Sequence, residues 1–120
     1  MKRIYSDSVE NLSKDIKIVD PITRHIITND IGIVYQSEEE SKTERLNAEY
    51  ALVELLNNEN FEVRITALQH LLLKKPTIKK CENLILMFLN SSEHEEEVRA
   101  IRAHFSKKNI YSWAPIPNWQ

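Results

Sequence analysis

The sequence predicts a mainly α-helical chain, and three observations carry that prediction. One glycine and four prolines in 120 residues are too few breaks for a sandwich of short, turn-rich strands. Apolar residues recur at three- and four-residue spacing along most of the chain, which gathers them on single helical stripes. Short polar runs containing helix-entry residues separate those stripes. A chain of this length suits one domain, which buries roughly 65% of its unfolded surface and needs no covalent staples.

The elements follow in order. Val9, Leu12, Ile16 and Val19 are spaced three, four, three and form one helical stripe, with Asp7 and Glu10 placed as a capping box. Asp20 and Pro21 end that helix and suit the start of a short second one containing Ile22 and Ile26, because proline is tolerated at the first helical position. Residues 24–36 read two ways. Ile26, Ile27, Ile31, Ile33, Val34 and Tyr35 are β-branched or aromatic, and Asn29-Asp30 suits the turn of a short hairpin; a helix followed by an extended segment fits almost as well. The run Ser37, Glu38, Glu39, Glu40, Ser41 has no apolar residue and reads as a solvated connection. It lacks the alternating ligands and turn glycine of a calcium loop.

Four helices are expected after Thr43. The first, over about 44–57, carries Ala48, Leu52, Leu55 and Leu56. The polar turn from Asn57 to Asn60 leads to a second with Phe61, Ile65, Leu68 and Leu72. Pro76 marks the entrance of a third, over about 77–90, with Ile78, Cys81, Ile85 and Phe88. Ser92 and Glu95 form a second capping-box candidate for a fourth, which presents Val98, Ile101 and Phe105.

Leu55-Leu56, a polar turn, Val63-Arg64, then Ala67 and Leu71 resemble the HEAT-repeat pattern. A second unit with Phe88-Leu89 and Val98-Arg99 places its Val-Arg pair 35 residues later, near HEAT spacing. The resemblance covers about residues 44–106. It departs from the family at Asn58, where aspartate is usual, and at Arg102, where alanine is usual. It implies a right-handed stack of two helical hairpins in which Arg64 and Arg99 tie helix ends to neighbouring turns. Residues 1–42 then cap one end and residues 107–120, an extended aromatic and proline-rich tail, cap the other, so that 1–120 is a single domain. Two repeats need such covers because each buries its apolar face only against neighbours.

Charge and chemistry narrow the function. The net charge is −2, divided as 7 basic and 12 acidic groups in residues 1–60 and 9 and 6 in residues 61–120. That balance is far from the one expected of a dedicated nucleic-acid binder. The lone Cys81 indicates a reducing compartment, no signal-length or membrane-length apolar run occurs, and the expected location is the cytoplasm. His25, His70, His94 and His104 lack zinc-ligand spacing, and one glycine excludes a phosphate-cradling loop. No catalytic residue, metal site or cofactor is expected.

The expected function is a non-catalytic protein-binding module, of the size of small inhibitors and immunity proteins, that engages one protein partner. Its candidate surface is the shallow face of the second helices, with Thr66, Gln69, His70 and Leu73 in one unit and Arg102 and His104 in the next. Residues 110–120 read first as a tail folded back on its own helices, because aromatic tails usually bury themselves; the second reading makes Trp113 and Trp119 binding anchors, because tryptophan is enriched at interface hot spots. The rival function is nucleic-acid binding through Lys74, Lys75, Lys79, Lys80, Arg102, Lys107 and Lys108, since HEAT-like DNA glycosylases show that such a fold can cradle a duplex.

Overall fold

The computed structural model describes residues 3–118. They form six α-helices: α1 (Val9–Asp15), α2 (Pro21–Gln36), α3 (Lys42–Leu55), α4 (Phe61–Leu73), α5 (Lys79–Leu89) and α6 (Glu95–Lys108), the last entered through a 3-10 turn at Ser92–His94. Among the described residues there is no strand, and no helix is long and apolar enough to cross a membrane.

The largest departure from expectation is α2. The segment that reads as a hairpin or as helix plus extended chain is one helix of 16 residues, with Pro21 in its first turn and Asp20 as its N-cap, accepting from the Thr23 amide at 3.0 Å. That hydrogen bond holds the Asp20 carboxyl below its ordinary range. Helix wins because Ile27, Ile31, Val34 and Tyr35 then share one face and are all buried, a gain of roughly 1.5–3 kcal/mol per large side chain. The helix penalty of a β-branched residue is only a few tenths of that. Asn29 and Asp30, which suggest a turn, lie in mid-helix with tertiary partners: the buried Asp30 carboxylate accepts from the amides of Ile4 and Tyr5 at 2.8 and 2.7 Å.

The helices pack in two layers. α1, α3 and α5 are neighbours in one; α2, α4 and α6 are neighbours in the other; α2 and α4 both pack on α3. The core lies between the layers, where Leu52, Leu56, Val63, Ala67, Leu68, Leu71, Ile85, Leu89, Val98 and Ile101 are buried with the inner face of α2. The apolar stripes of α1 and α3 to α6 therefore face inward, apart from half-buried Val19, Phe61 and Ile78 at the margins, whereas Ile22 at the start of α2 is exposed and Ile26 is half-buried.

Capping differs from the sequence reading in its details. The N-cap of α1 is Ser8, not Asp7, with Ser8 Oγ accepting from the Asn11 amide at 3.3 Å. Ser91, not Ser92, caps the 3-10 turn. α5 has no side-chain cap of its own. Instead the buried carboxylate of Glu49 on α3 accepts from the amides of Thr77 and Ile78 at 2.9 and 3.0 Å, satisfying donors at the helix entrance that would otherwise be orphaned. Glu44, a turn earlier on α3, accepts from the Val9 amide at 3.0 Å at the start of α1. The middle helix of the first layer thus supplies a carboxylate to each of its neighbours.

Candidate functional site

Thr66 and His70 lie on the face of α4 that α2 covers, so the expected open surface does not exist there. Both are buried: Thr66 Oγ1 is 3.0 Å from His25 Nδ1, and the His70 ring is clamped by Asn29 and Gln36 of α2. His70 Nε2 lies 2.9 Å from Asn29 Oδ1, which can only accept, so the ring proton sits on Nε2. Nδ1, 2.5 Å from Gln36 Nε2, is then the acceptor. The neutral ring has both nitrogens satisfied, and burial pushes its pKa down to about 4. The clamp depends on the chain's one glycine, because a Cβ on Gly32 would stand 2.1 Å from His70 Cδ2. An isolated glycine inside helical spacing is the sequence signal for such close approach; nothing in the sequence says that His70 makes it.

Gln69 and His104 are half-buried, and Leu73 is at the surface. The segment after α6 turns back at Asn109, a left-handed residue with φ 54°, and engages exposed Arg102 through Ile116 and α4 through Trp113. Asparagine tolerates that conformation, and the Ile110 amide closes the helix end on Phe105 O at 2.9 Å. Trp113 then covers the end of α4: its indole N–H donates to Leu71 O at 2.7 Å and its amide to Leu72 O at 3.4 Å. Those carbonyls belong to the last turn of α4 and have no partner within the helix. Ala114 is buried, Ile110 and Ile116 pack against the core, and Arg102 donates to Ile116 O at 2.9 Å. Trp119 lies outside the described residues.

The arginines at helix starts reach across turns. Arg64 donates to Asn58 O at 2.8 Å and stands 3.7 Å from the buried carboxylate of Glu97 on α6. Glu97 also accepts from His94 Nδ1 at 2.7 Å, and the His94 ring stacks on Phe88 at 3.8 Å between centroids. Arg24 on α2 repeats the pattern one unit earlier, bonding Glu59 and Asn60 of the next turn, each at 2.7 Å. Arg99 pairs, among the described residues, with Glu95 on its own helix at 2.6 Å.

Exposed apolar side chains beside grooves lie on the other layer, whereas Ile18, Ile22 and Tyr111 are exposed elsewhere. Met87 is 67% exposed and Leu84 39%, on the outer side of α5. They border a groove of about 230 Å³ between α3 and α5, floored by Val53, Leu56 and Phe88. A second groove, of about 450 Å³, runs between α1 and α3 over Ile16, Ala51 and Leu55, with Glu10, Lys17 and Glu54 at its edges. Tyr50, 56% exposed, projects from α3 on the same layer. Sequence reading passed over Leu84 and Met87, although both fall off the stripe of Ile78, Cys81, Ile85 and Phe88 and so belong on the solvent side.

Two further chemical readings can be placed. Burial, reinforced by Glu49, pushes the Cys81 thiol up to about 11, so it carries no thiolate at neutral pH. Among the described residues no three His, Cys, Asp or Glu side chains are grouped to hold a metal ion. No protein-family model, curated protein or solved structure matches this chain.

Proposed function

We propose that this chain is a non-catalytic protein-binding module with HEAT-like architecture, of the small inhibitor or immunity kind, which takes one protein partner on the outer face of α3 and α5. The architectural part rests on the packing of α1 on α2 and of α3 on α4, with α1, α3 and α5 side by side and α2, α4 and α6 side by side. Arg24 and Arg64 link each hairpin to the next in the manner of a repeat ladder. By this reading the N-terminal segment is a third hairpin rather than a simple cap.

The observation that carries the functional part is the exposure of Leu84 and Met87 beside the α3/α5 groove, while α2 covers Thr66 and His70 and Trp113 covers the end of α4. Methionine and leucine at the rim of an apolar groove favour an apolar side chain from another protein. Among the described residues no Lys or Arg lines that groove, so it lacks the cations that a phosphodiester backbone draws on most. The lysines of the α4–α5 connection favour nucleic acid less than their number suggests, because Lys75 and Lys79 both pair with Glu82. Those pairings hold the Glu82 carboxyl below its ordinary range.

The test is affinity purification of the chain and of Met87→Glu from its source cells. One protein retained in stoichiometric amount by the first and lost by the second, with helical content unchanged, supports the reading. Equal retention by both moves the site elsewhere, and a salt-dependent shift of duplex DNA or RNA in place of a protein partner would favour the rival.

A further inference from the structure

A small cavity of about 130 Å³ lies where the end of α2, the start of α3 and the α4–α5 connection meet. Three cationic side chains line it: Lys42 and Arg45 from the first turn of α3, and Lys74 just after α4. The Nε of Arg45 is buried without a hydrogen-bond partner, and among the described residues Arg45 enters no ion pair. The other buried, unpartnered arginine Nε, that of Arg3, belongs to a guanidinium that pairs with Glu40 and donates to Asp7 O. Among the described residues the half-buried Arg45 guanidinium has no hydrogen-bond or ion-pair partner, so its outer N–H groups are left to solvent or to a ligand.

The surrounding groups leave the acceptor position to a ligand. Glu49, the only acidic residue in the lining, has both carboxylate oxygens engaged at the entrance of α5 by Thr77 and Ile78. The Tyr35 hydroxyl donates to Lys74 O at 2.5 Å, and Lys74 Nζ spends one donor on Tyr35 O at 3.0 Å, so the lysine is held in place with donors to spare. Three cations against one carboxylate leave the lining at +2. That charge matches a dianion better than a single carboxylate, and arginine with two lysines presents the donor set that phosphate oxygens take.

We propose that this cavity is a binding site for a phosphate group, either inorganic phosphate or a phosphate monoester, with Arg45 as its principal contact and Lys42 and Lys74 as supporting charges. The site stands apart from the α3/α5 groove and does not depend on it. The experiment is titration of the full chain with inorganic phosphate, followed by the side-chain Nε–H resonance of Arg45 and the backbone amides in heteronuclear NMR. Sodium chloride at matched ionic strength and sodium acetate serve as controls.

Saturable shifts at Arg45, Lys42 and Thr77, weakened roughly tenfold or more in Arg45→Gln and in Lys42→Gln but unchanged in Lys80→Gln, are expected; tenfold corresponds to the loss of one charge-assisted contact. Titration with a phosphoserine peptide separates the sources. Comparable affinity indicates a site for the free group, and affinity at least tenfold higher indicates a phosphorylated partner. Shifts that never saturate, that chloride reproduces, or that spread over all surface lysines while Arg45 Nε–H stays still would overturn the proposal. So would a folded Arg45→Gln that binds as well as the parent. Should Arg45→Gln fail to fold, the Arg45 resonance of the parent chain decides.

Discussion

At the scale of single residues, Gly32 and His70 act as a pair. Placing alanine at position 32 gains roughly 1 kcal/mol of helix propensity, but its Cβ would meet the imidazole at 2.1–2.5 Å, and overpacking of a closed core costs about 1–3 kcal/mol or more. The clash wins, so Gly32→Ala should destabilise the chain in chemical denaturation. Adding His70→Ala should recover part of that loss, giving a double-mutant coupling above 1 kcal/mol. Additive losses would mean that the ring does not rest on Gly32.

The same histidine sets a pH dependence. Its pKa is lowered to about 4 in the folded chain, from an ordinary value of 6.5. Between those values the unfolded chain binds the extra proton, so stability falls as the pH drops from 6.5 towards 4, by about 3 kcal/mol over the full window. Above pH 6.5 both states carry the ring neutral and the contribution vanishes. Urea denaturation at pH 7 and pH 4.5 should show the loss, and His70→Gln, which cannot titrate, should flatten it. An unchanged slope in that variant would assign the acid sensitivity to other groups.

At the scale of elements, helix ends are completed by neighbours. The Glu49 carboxylate takes two amides and a hydroxyl at the entrance of α5, and charged hydrogen bonds contribute about 1.5–3 kcal/mol each when one partner is removed. Glu49→Gln keeps the shape but turns an NH2 towards an amide. It should cost on the order of 2 kcal/mol, and hydrogen exchange should quicken first in the opening turn of α5. Uniform quickening across all helices would show that Glu49 holds the whole core instead. The α2 helix makes the same point about legibility. Its N-cap and its proline are readable at Asp20 and Pro21, but its course through Asn29 and Asp30 is not, because their partners, His70 and the amides of Ile4 and Tyr5, are distant in sequence.

At the scale of the molecule, the segment after α6 belongs to the packed body. Trp113 supplies both donors to the last turn of α4, and Ile110 and Ile116 lie against the core. Removing everything after Lys108 forfeits that burial and leaves two carbonyls unpaired, a loss on the order of 3 kcal/mol after ordering entropy is deducted. The truncated chain should melt several degrees lower and bind an apolar-surface dye. Unchanged melting with loss of partner binding would make the segment a recognition element instead.

The sequence by itself determined that most of the chain is helical and which apolar stripes of α3 to α6 face inward. Apolar spacing near 3.6 is a local property that each helix carries alone, so Ala48, Leu52, Leu55, Leu56, Leu68 and Leu72 read as core before any packing is known, and all are buried. Only the tertiary structure decided which polar residues are exposed. Thr66 and His70 have the composition of a solvent face, yet they lie inside because α2 docks there, and that docking rests on a glycine and a histidine 38 residues apart. Burial of a polar group is settled by whether a partner from elsewhere in the chain meets its hydrogen bonds. By the same token Leu84 and Met87, off the inward stripe of α5, stay exposed.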